Sequence, residues 1–359
     1  EKLIVRWGRA LTPKRWRLAE LEEKIRLGSW LSSLYIEWRK SRMYYLGIDL
    51  GSYSLESVLV DEKGTLVWRD QALTAGDSLR ALQQMAERLL KAHNAEDIVC
   101  VAATGSGWRL VKAVFGAEYA GEEMELIQAY CEAHYPELAS IVKIGYEETA
   151  VCHLHQPPKR RGRKNECIRN LGAFYQQQLE RWQMSAAQWN HLEEEADNEE
   201  LHISAKCPAS MLRDMVKYEQ MGLSKALIAE KMDEALVRCY LQNTAKDDEF
   251  AGEILFVGIL ANSLGAARAL ERETGQTVRT GEVYAFLGAE AAALKAVKDM
   301  ADRVKWRGEA ILGDRYSYGF AHCEDGCGKH CALTQFKIND QLQAVWGGKC
   351  DRWDNFIPE

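Results

Sequence analysis

Residues 44–54 read Tyr-Tyr-Leu-Gly-Ile-Asp-Leu-Gly-Ser-Tyr-Ser, an apolar strand that runs into a polar turn. The strand brings Asp49 to its end, and Gly51 allows a tight turn whose backbone N–H groups can face an anion. Ser52 and Ser54 add hydroxyl donors, and a carboxylate at a strand end can hold Mg²⁺ through water. The stretch predicts the strand and turn of a nucleotide-phosphate site, although a hairpin without a ligand has the same pattern.

The segments that follow predict one α/β lobe. Runs of β-branched and aromatic residues alternate with amphipathic helical patterns, in the order strand, strand, helix, strand, helix. These segments are residues 55–60, 65–72, 78–93, 97–103 and 122–134. Together with the first strand they have the order of a ribonuclease-H-like lobe.

Part of this order recurs downstream. Strands are predicted at 141–145, 149–154 and 253–257, and helices at 171–182, 185–196, 208–220, 224–243, 262–274 and 288–298. We therefore expect an α/β fold of two duplicated lobes with a cleft between them. Periodicity alone is equally compatible with a single doubly wound sheet.

Small or polar residues stand at the ends of several predicted strands and at the starts of two predicted helices, where a ligand can approach the backbone closely. They are Thr104, Gly105, Gly145, Gly258, Asn262 and Gly288. We interpret them as cofactor-binding positions, together with Gly51, Ser52 and Ser54. Tight α/β turns without a ligand are the alternative interpretation.

Residues 1–42 differ from the rest, because they hold 11 Lys and Arg against 5 Glu. Two apolar stripes at helical spacing predict a basic helical arm that packs on the main body or on a partner. Met43 is an alternative start of the functional chain, which would make this arm an upstream extension.

The net charge of −7 argues against nucleic acid as the main partner. The basic run at 159–164 is interpreted as a solvated hairpin tip, since no aromatic residue interrupts it. The sequence shows no apolar stretch long enough to cross a bilayer and no signal peptide, so we expect a cytoplasmic protein without a membrane partner.

Ten cysteines favour metal binding or redox chemistry over a disulfide framework. Four of them lie in apolar or helical runs and are expected to be buried structural thiols: Cys100, Cys131, Cys152 and Cys239. Cys167 and Cys207 stand in polar surroundings. Four more crowd the C-terminal tail in a pattern that suggests Zn²⁺ or a second Fe–S cluster, with a disulfide or free thiols as alternatives: Cys323, Cys327, Cys331 and Cys350.

On these residues the chain resembles the ATPase activators of 2-hydroxyacyl-CoA dehydratases and the related ATPase subunits of benzoyl-CoA reductases. Those proteins open with a Gly-Ile-Asp-x-Gly-Ser strand and turn, matched at 47–52, and carry a later Thr-Gly turn, matched at 104–105. They show a cluster cysteine followed by Gly and Phe, as at 167–174. A second cluster cysteine lies between a short strand and a helix that ends in Gln-x-Gly, as at 203–222.

The resemblance runs in order over roughly residues 44–297, and it implies the actin/sugar-kinase/Hsp70-like ATPase fold. Lobe I would comprise about 43–137 plus a closing helix at 285–300, and lobe II about 138–284. The basic helical extension at 1–42 would precede this ATPase domain, and a Cys-rich metal-binding tail at 306–359 would follow it.

The resemblance also implies cofactors and partners. ATP with Mg²⁺ would occupy the cleft, with Asp49, Glu147 and Glu148 as catalytic residues. In such activators each subunit of a homodimer gives two cysteines, here Cys167 and Cys207, to one bridging [4Fe–4S] cluster. ATP then drives a low-potential electron into a dehydratase- or reductase-like Fe–S partner.

Three residues depart from the family pattern. Family members usually have Lys at the position of Glu56, and a carboxylate there would repel phosphates. They usually read Asp-x-Gly-Gly-Gln-Asp where this chain has Lys143 and Tyr146 in place of the Asp and the second Gly of the pair. Either Glu147 or Glu148 still positions water and Mg²⁺, with Lys143 as a phosphate contact, or the lobe is degenerate.

These departures leave two functions beside the ATP-dependent electron-transfer activator. The first is a degenerate pseudo-ATPase that serves as a metal-binding subunit of such a complex. The second is a sugar or acetate kinase of the same superfamily, which would give no role to the ten cysteines.

Overall fold

The computed structural model describes residues 43–156, 166–193, 201–246, 248–299, 306–324, 326–350 and 353. The predicted arm at 1–42 and the basic run at 159–164 lie outside them. The first sheet of the described chain is built on the buried strand that carries Asp49 near its end. Its strands are β1 (Tyr44–Leu50), β2 (Ser54–Asp61), β3 (Leu66–Leu73), β4 (Ile98–Thr104) and β5 (Glu118–Tyr119).

This first sheet has the order β3-β2-β1-β4-β5. The first three strands form an antiparallel meander, and β4 and β5 add in parallel. Its helices are α1 (Ser78–Ala92), α2 (Trp108–Phe115) and α3 (Glu123–His134). Helix α1 begins at Asp77, whose carboxylate accepts a hydrogen bond from the amide of Arg80, and it buries Leu82, Met85 and Leu89.

The second sheet repeats the same arrangement in a shorter form, with the order β7-β6-β8-β9. Its strands are β6 (Leu138–Ile144), β7 (Thr149–His153), β8 (Glu253–Val257) and β9 (Val278–Arg279). Strand β6 pairs antiparallel with β7 and parallel with β8, as β1 pairs with β2 and β4. The duplication predicted from the sequence is confirmed, because β6 takes the place of β1 in the second lobe.

Helices inserted between β7 and β8 form the core of the second lobe. They are α4 (Glu166–Arg169), α5 (Leu171–Trp182), α6 (Ala186–Glu193), α7 (Pro208–Gln220) and α8 (Lys225–Asn243). Trp189, on α6, is fully buried, and its indole N–H donates to Asp233, on α8. Asp233 also accepts a hydrogen bond from the hydroxyl of Ser263, which caps α9 (Leu264–Thr274). A buried polar chain thus joins three helices.

The strand expected before Cys207 is absent, since residues 201–207 form no regular element. The backbone of this segment bonds to side chains of α7 instead of to a sheet. The amide of Ser204 donates to Asp214 at 3.0 Å, and the carbonyl of His202 accepts from the hydroxyl of Tyr218 at 2.8 Å. That part of the family pattern was predicted incorrectly.

The chain returns to the first lobe through α10 (Leu287–Asp299), which packs on β1, β2 and β4. This is the closing helix expected from the resemblance. The C-terminal segment then forms α11 (Ala310–Gly313) and an antiparallel sheet of β10 (Tyr316–His322), β11 (Ala332–Ile338) and β12 (Gln341–Trp346). Phe336 and Ile338 join the core of the first lobe, so this sheet extends that lobe.

Candidate functional site

A cleft of about 870 Å³ is lined by residues of both lobes. It brings together most of the positions predicted as catalytic or cofactor-binding. Those that line it are Asp49, Gly51, Ser52, Ser54, Gly105, Gly145, Glu147, Glu148, Gly258, Asn262 and Gly288. Thr104 does not line the cleft, because its buried hydroxyl donates to the carbonyl of Gly121 at 2.8 Å.

Equivalent turns from the two lobes face this cleft. After β1, the amide of Gly51 donates to the carbonyl of Ser54 at 2.9 Å. After β6, the amide of Gly145 donates to the carbonyl of Glu148 at 2.8 Å. The duplicated fold therefore presents two similar glycine-initiated turns to the cleft. Turns of this kind can bind phosphate through their backbone N–H groups.

Asp49 lies at the end of β1 and is only 7% exposed. A Cβ atom on Gly105 or on Gly288 would overlap its carboxylate, so only glycine fits at these two positions. Burial raises the pKa of Asp49 well above its usual range, and the nearby carboxylates of Glu123 and Glu56 raise it further. The catalytic residue expected here is thus held tightly in an acidic pocket.

Glu56 stands opposite Asp49 on β2 and is 6% exposed. The side-chain amide of Gln71 donates to its carboxyl group at 2.9 Å. Burial raises the pKa of Glu56 to about 7, against the smaller opposing effect of this hydrogen bond. Near neutral pH a large fraction of this side chain is uncharged, which weakens the phosphate repulsion expected from the sequence.

Lys143 lies at the end of β6 and is 8% exposed. Its ammonium donates to Glu123, on α3 of the first lobe, at 2.6 Å and to Glu148 at 3.3 Å. Burial acts to lower the pKa of Lys143, but the charges of Glu123, Glu148 and Asp49 outweigh it, so the pKa is raised. Lys143 is therefore a permanent cation that joins the two lobes inside the cleft.

Two tyrosines close the gap between the glycine-initiated turns. The rings of Tyr53, from the first turn, and Tyr146, from the second, stack with centroids 4.8 Å apart and planes at 13°. Offset-stacked aromatic pairs of this kind contribute about 0.5–1.5 kcal/mol beyond their buried area. The substitution of Tyr146 for a family glycine thus creates a contact between the lobes.

The other end of the cleft is formed after β8. Gly258 begins a short 3-10 turn over Ile259–Asn262, and both Gly258 and Asn262 line the cleft. The backbone carbonyl of Asn262 accepts a hydrogen bond from the side chain of Asn190 at 3.0 Å, which fixes the turn. This is the end of the cleft at which the sequence predicted the adenosine contact.

Cys207 is partly buried and caps the N-terminus of the 13-residue helix α7. The backbone N–H of Ser210 is the main cause that lowers the pKa of the Cys207 thiol, and the Ser210 hydroxyl adds to it. A thiolate is favoured at such a helix terminus, and the thiolate is the form that binds metals. Cys207 therefore favours the thiolate form, which a metal ligand requires.

Cys167 lies on α4, five positions before Gly172 at the start of α5. A Cβ atom on Gly172 would overlap the carbonyl of Gly145, and the amide of Ala173 donates to the carbonyl of Tyr146 at 3.0 Å. Helix α5, which begins four residues after Cys167, is thus in direct backbone contact with the second turn of the cleft.

The four tail cysteines fall at one end of the C-terminal sheet. The amide of Cys323 donates to the carbonyl of Cys331 at 2.9 Å, and both residues are buried beside Leu333. Cys327 and Cys350 are exposed. Within the described ranges, no group of three or more His, Cys, Asp or Glu side chains is arranged to hold a metal ion.

Sequence reasoning missed Glu123 and Gln71 as parts of the cleft. Both are polar residues in a helix or strand of ordinary composition, and no local signal marks them. Among the described residues, no helix combines the length and apolar character needed to span a bilayer.

No protein-family profile matches the chain. The (R)-2-hydroxyglutaryl-CoA dehydratase activating ATPase of Acidaminococcus fermentans is 20% identical over 261 residues, which are 72% of this chain and 99% of that protein. The crystal structure of component A of that dehydratase has a TM-score of 0.63 at 18% identity, and covers 71% of this chain and 98% of the other.

The activator of the 2-hydroxyisocaproyl-CoA dehydratase from Clostridium difficile, solved with bound ADPNP, has a TM-score of 0.60 at 20% identity. It covers 71% of this chain and 95% of the other. The resemblance predicted from the sequence is therefore confirmed: this chain is similar, in sequence and in fold, to activators of 2-hydroxyacyl-CoA dehydratases.

Proposed function

We propose that this protein is a nucleotide-dependent activator of a dehydratase-like partner enzyme. The observation that carries the proposal is the pair of glycine-initiated turns that face one cleft from two duplicated lobes. Similarity along almost the full length of an activating ATPase supports the same role. The nucleotide would lie with its phosphates between the turns and its adenosine near Gly258 and Asn262.

The finer part of the proposal concerns a [4Fe–4S] cluster. Such a cluster is held by four cysteine thiolates, and each chain offers the two cysteines that the resemblance assigns to it, Cys167 and Cys207. Two copies of the chain would therefore share one cluster, which when bound supplies a one-electron donor for the partner. The lowered pKa of Cys207 and its place at the N-terminus of α7 fit a ligand of this cluster.

Nucleotide binding and the cluster would be coupled through the start of α5. The second cleft turn accepts the amide of Ala173, and Cys167 lies six residues before Ala173. A rearrangement of that turn around a nucleotide would move the backbone that positions Cys167. The function of the chain would then be to convert nucleotide occupancy into a changed environment for the cluster.

One observation favours a second candidate function. The Tyr53–Tyr146 stack already joins the two turns between which phosphates would lie. In this second candidate the chain is a pseudo-ATPase, a metal-binding subunit that docks to a partner without hydrolysing ATP.

Anaerobic purification followed by iron and acid-labile sulfide analysis tests the cluster. The expected result is about four irons per dimer in the parent and none in a Cys167→Ala/Cys207→Ala double variant. The matched control is Cys327→Ala/Cys350→Ala, which removes two exposed cysteines of the tail and should leave the iron in place. Iron lost only in the control would assign it to the tail and contradict the bridging cluster.

Calorimetric titration with ATP, with and without Mg²⁺, tests the nucleotide part. Binding with turnover supports the activator. Binding without turnover favours the pseudo-ATPase, and the absence of any binding contradicts the proposed nucleotide-dependent function.

A further inference from the structure

The duplication of the two lobes places an acidic and a basic side chain at equivalent points. Asp49 and Lys143 each stand two residues before the glycine that begins a cleft turn, on the strand that is central to its sheet. Both are buried, at 7% and 8% exposure. A fold that presents carboxylates from both lobes could hold a divalent cation between them, whereas this chain presents a carboxylate from one lobe and an ammonium from the other.

The ammonium of Lys143 sits among carboxylates that would otherwise serve a metal. It donates to Glu123 at 2.6 Å and to Glu148 at 3.3 Å, and Asp49 is close enough to act on it electrostatically. Mg²⁺ is bound through one or two carboxylates together with water and phosphate oxygens in a near-octahedral arrangement. Three of the cleft carboxylates that could take part in that arrangement, Asp49, Glu123 and Glu148, already surround a cation.

The residues present therefore do not fit Mg²⁺ as they stand. Consistent with this, the described part of the chain has no group of three or more metal-ligating side chains in a binding arrangement. We propose that the ammonium of Lys143 takes the position of the divalent cation, so that a nucleotide in this cleft is bound without Mg²⁺. The part that concerns the nucleotide rests on the proposed function, whereas the part that concerns the cation does not.

A different role for Lys143 would be a direct contact to a nucleotide phosphate. That role requires a side chain that is free to turn toward the ligand. Instead, the ammonium is held by Glu123 from the other lobe at 2.6 Å, in a setting from which solvent is largely excluded. Breaking such a buried pair is costly, since it leaves an uncompensated charge, so we assign the ammonium to the cluster of carboxylates.

The test uses Mn²⁺ as a probe of the divalent position, with no nucleotide present. Electron paramagnetic resonance of free Mn²⁺ is recorded during titration of the parent, Lys143→Ala and Lys143→Met. The parent should bind no Mn²⁺ in the cleft, and at least one variant should gain a site, because its carboxylates have lost their cation. The methionine variant keeps the apolar stem of the lysine, and it provides a second test if Lys143→Ala does not fold.

Lys295→Ala is the matched control, since Lys295 makes an exposed pair with Asp299 on α10, away from the cleft. It should bind no more Mn²⁺ than the parent. A parent that binds Mn²⁺ in the cleft, or two folded Lys143 variants that gain none, would overturn the assignment.

A second measurement separates this inference from the proposed function. The affinity for ATP is compared in EDTA and in excess Mg²⁺. The parent should differ by less than about twofold, whereas Lys143→Ala should bind at least about tenfold more tightly with Mg²⁺. A parent that binds ATP only with Mg²⁺ overturns this inference and leaves the activator role standing. A parent that binds no ATP in either condition overturns the activator role, and the Mn²⁺ result then decides the cation assignment alone.

Discussion

A Cβ atom on Gly288 would overlap the carboxylate of Asp49, so the second residue of α10 lies directly against the side chain that ends β1. The helix that closes the first lobe and the residue at the centre of the cleft therefore cannot move independently. Glycine at position 288 is required by this approach.

Gly288→Ala should lower the free energy of unfolding by about 1–3 kcal/mol, because the added methyl must displace Asp49 or the helix. Gly313→Ala is the matched control, since a Cβ atom there meets nothing within 4 Å and the residue is exposed. Its effect should stay within about 0.5 kcal/mol. Urea unfolding of both variants measures the difference, and equal effects would contradict the packing described here.

Glu56→Gln should change how stability depends on pH. The folded pKa of Glu56, about 7, lies above its ordinary value of 4.5, so the folded state holds this proton more tightly than the unfolded state. Its contribution to the free energy of unfolding is therefore largest below pH 4.5 and falls as the pH rises to about 7. A shift of this size corresponds to about 3 kcal/mol.

Urea unfolding of the parent and of Glu56→Gln at several pH values tests this. The parent should lose stability relative to the variant as the pH rises from 4.5 to 7. Glu62→Gln, in an exposed turn, is the control. A stability difference between parent and Glu56→Gln that stays constant over this pH range would contradict the raised pKa.

Tyr146→Ala should raise the apparent affinity for ATP by between about twofold and tenfold, since the stack with Tyr53 no longer has to open. The control is His134→Ala, which removes a ring stacked on Tyr130 within α3, at 4.2 Å between centroids. That variant should bind ATP like the parent. A loss of affinity in Tyr146→Ala would mean that the stacked rings form part of the nucleotide site.

Ser210→Ala should slow the alkylation of Cys207 in cluster-free protein by roughly two- to tenfold at pH 7, because it removes the Ser210 hydroxyl, which lies 3.7 Å from the Cys207 sulfur and is among the groups that lower the pKa of that thiol. The backbone N–H of residue 210 remains and keeps part of the effect. Peptide mapping by mass spectrometry follows Cys207 separately from the other thiols. Exposed Cys327 should react at the same rate in both proteins, and an unchanged Cys207 rate would contradict the role of Ser210.

Strands and helices with a strong apolar period were predicted closely. The strand at Tyr44–Leu50, the strand at Glu253–Val257 and the helix at Leu171–Trp182 have the predicted bounds. Each is buried along a face or throughout, so local pattern and tertiary packing favour the same structure. Most glycine turns of the cleft were also predicted correctly. Glycine is needed where the backbone closely approaches a neighbour, so the residue type itself marks these positions.

The failures have physical causes as well. Helix α2, at Trp108–Phe115, was missed because it is only two turns long and follows a Gly-rich turn. The tail was interpreted through its cysteines, and the apolar residues that β11 buries, Leu333, Phe336 and Ile338, were overlooked. The pairing of Lys143 with Glu123 joins two lobes, and no sequence period connects such positions.

The contact between Gly172 and the carbonyl of Gly145 leaves no side-chain layer between the cleft turn and α5. In most packed interfaces, a small displacement of one backbone segment is absorbed by rotamer changes of the side chains between the segments. Here the backbone of α5 contacts the backbone of the turn, so no side chain between them can change its rotamer when the turn moves. The junction is therefore stiff. A displacement of the second cleft turn would shift α5, the helix that follows Cys167, by a similar distance.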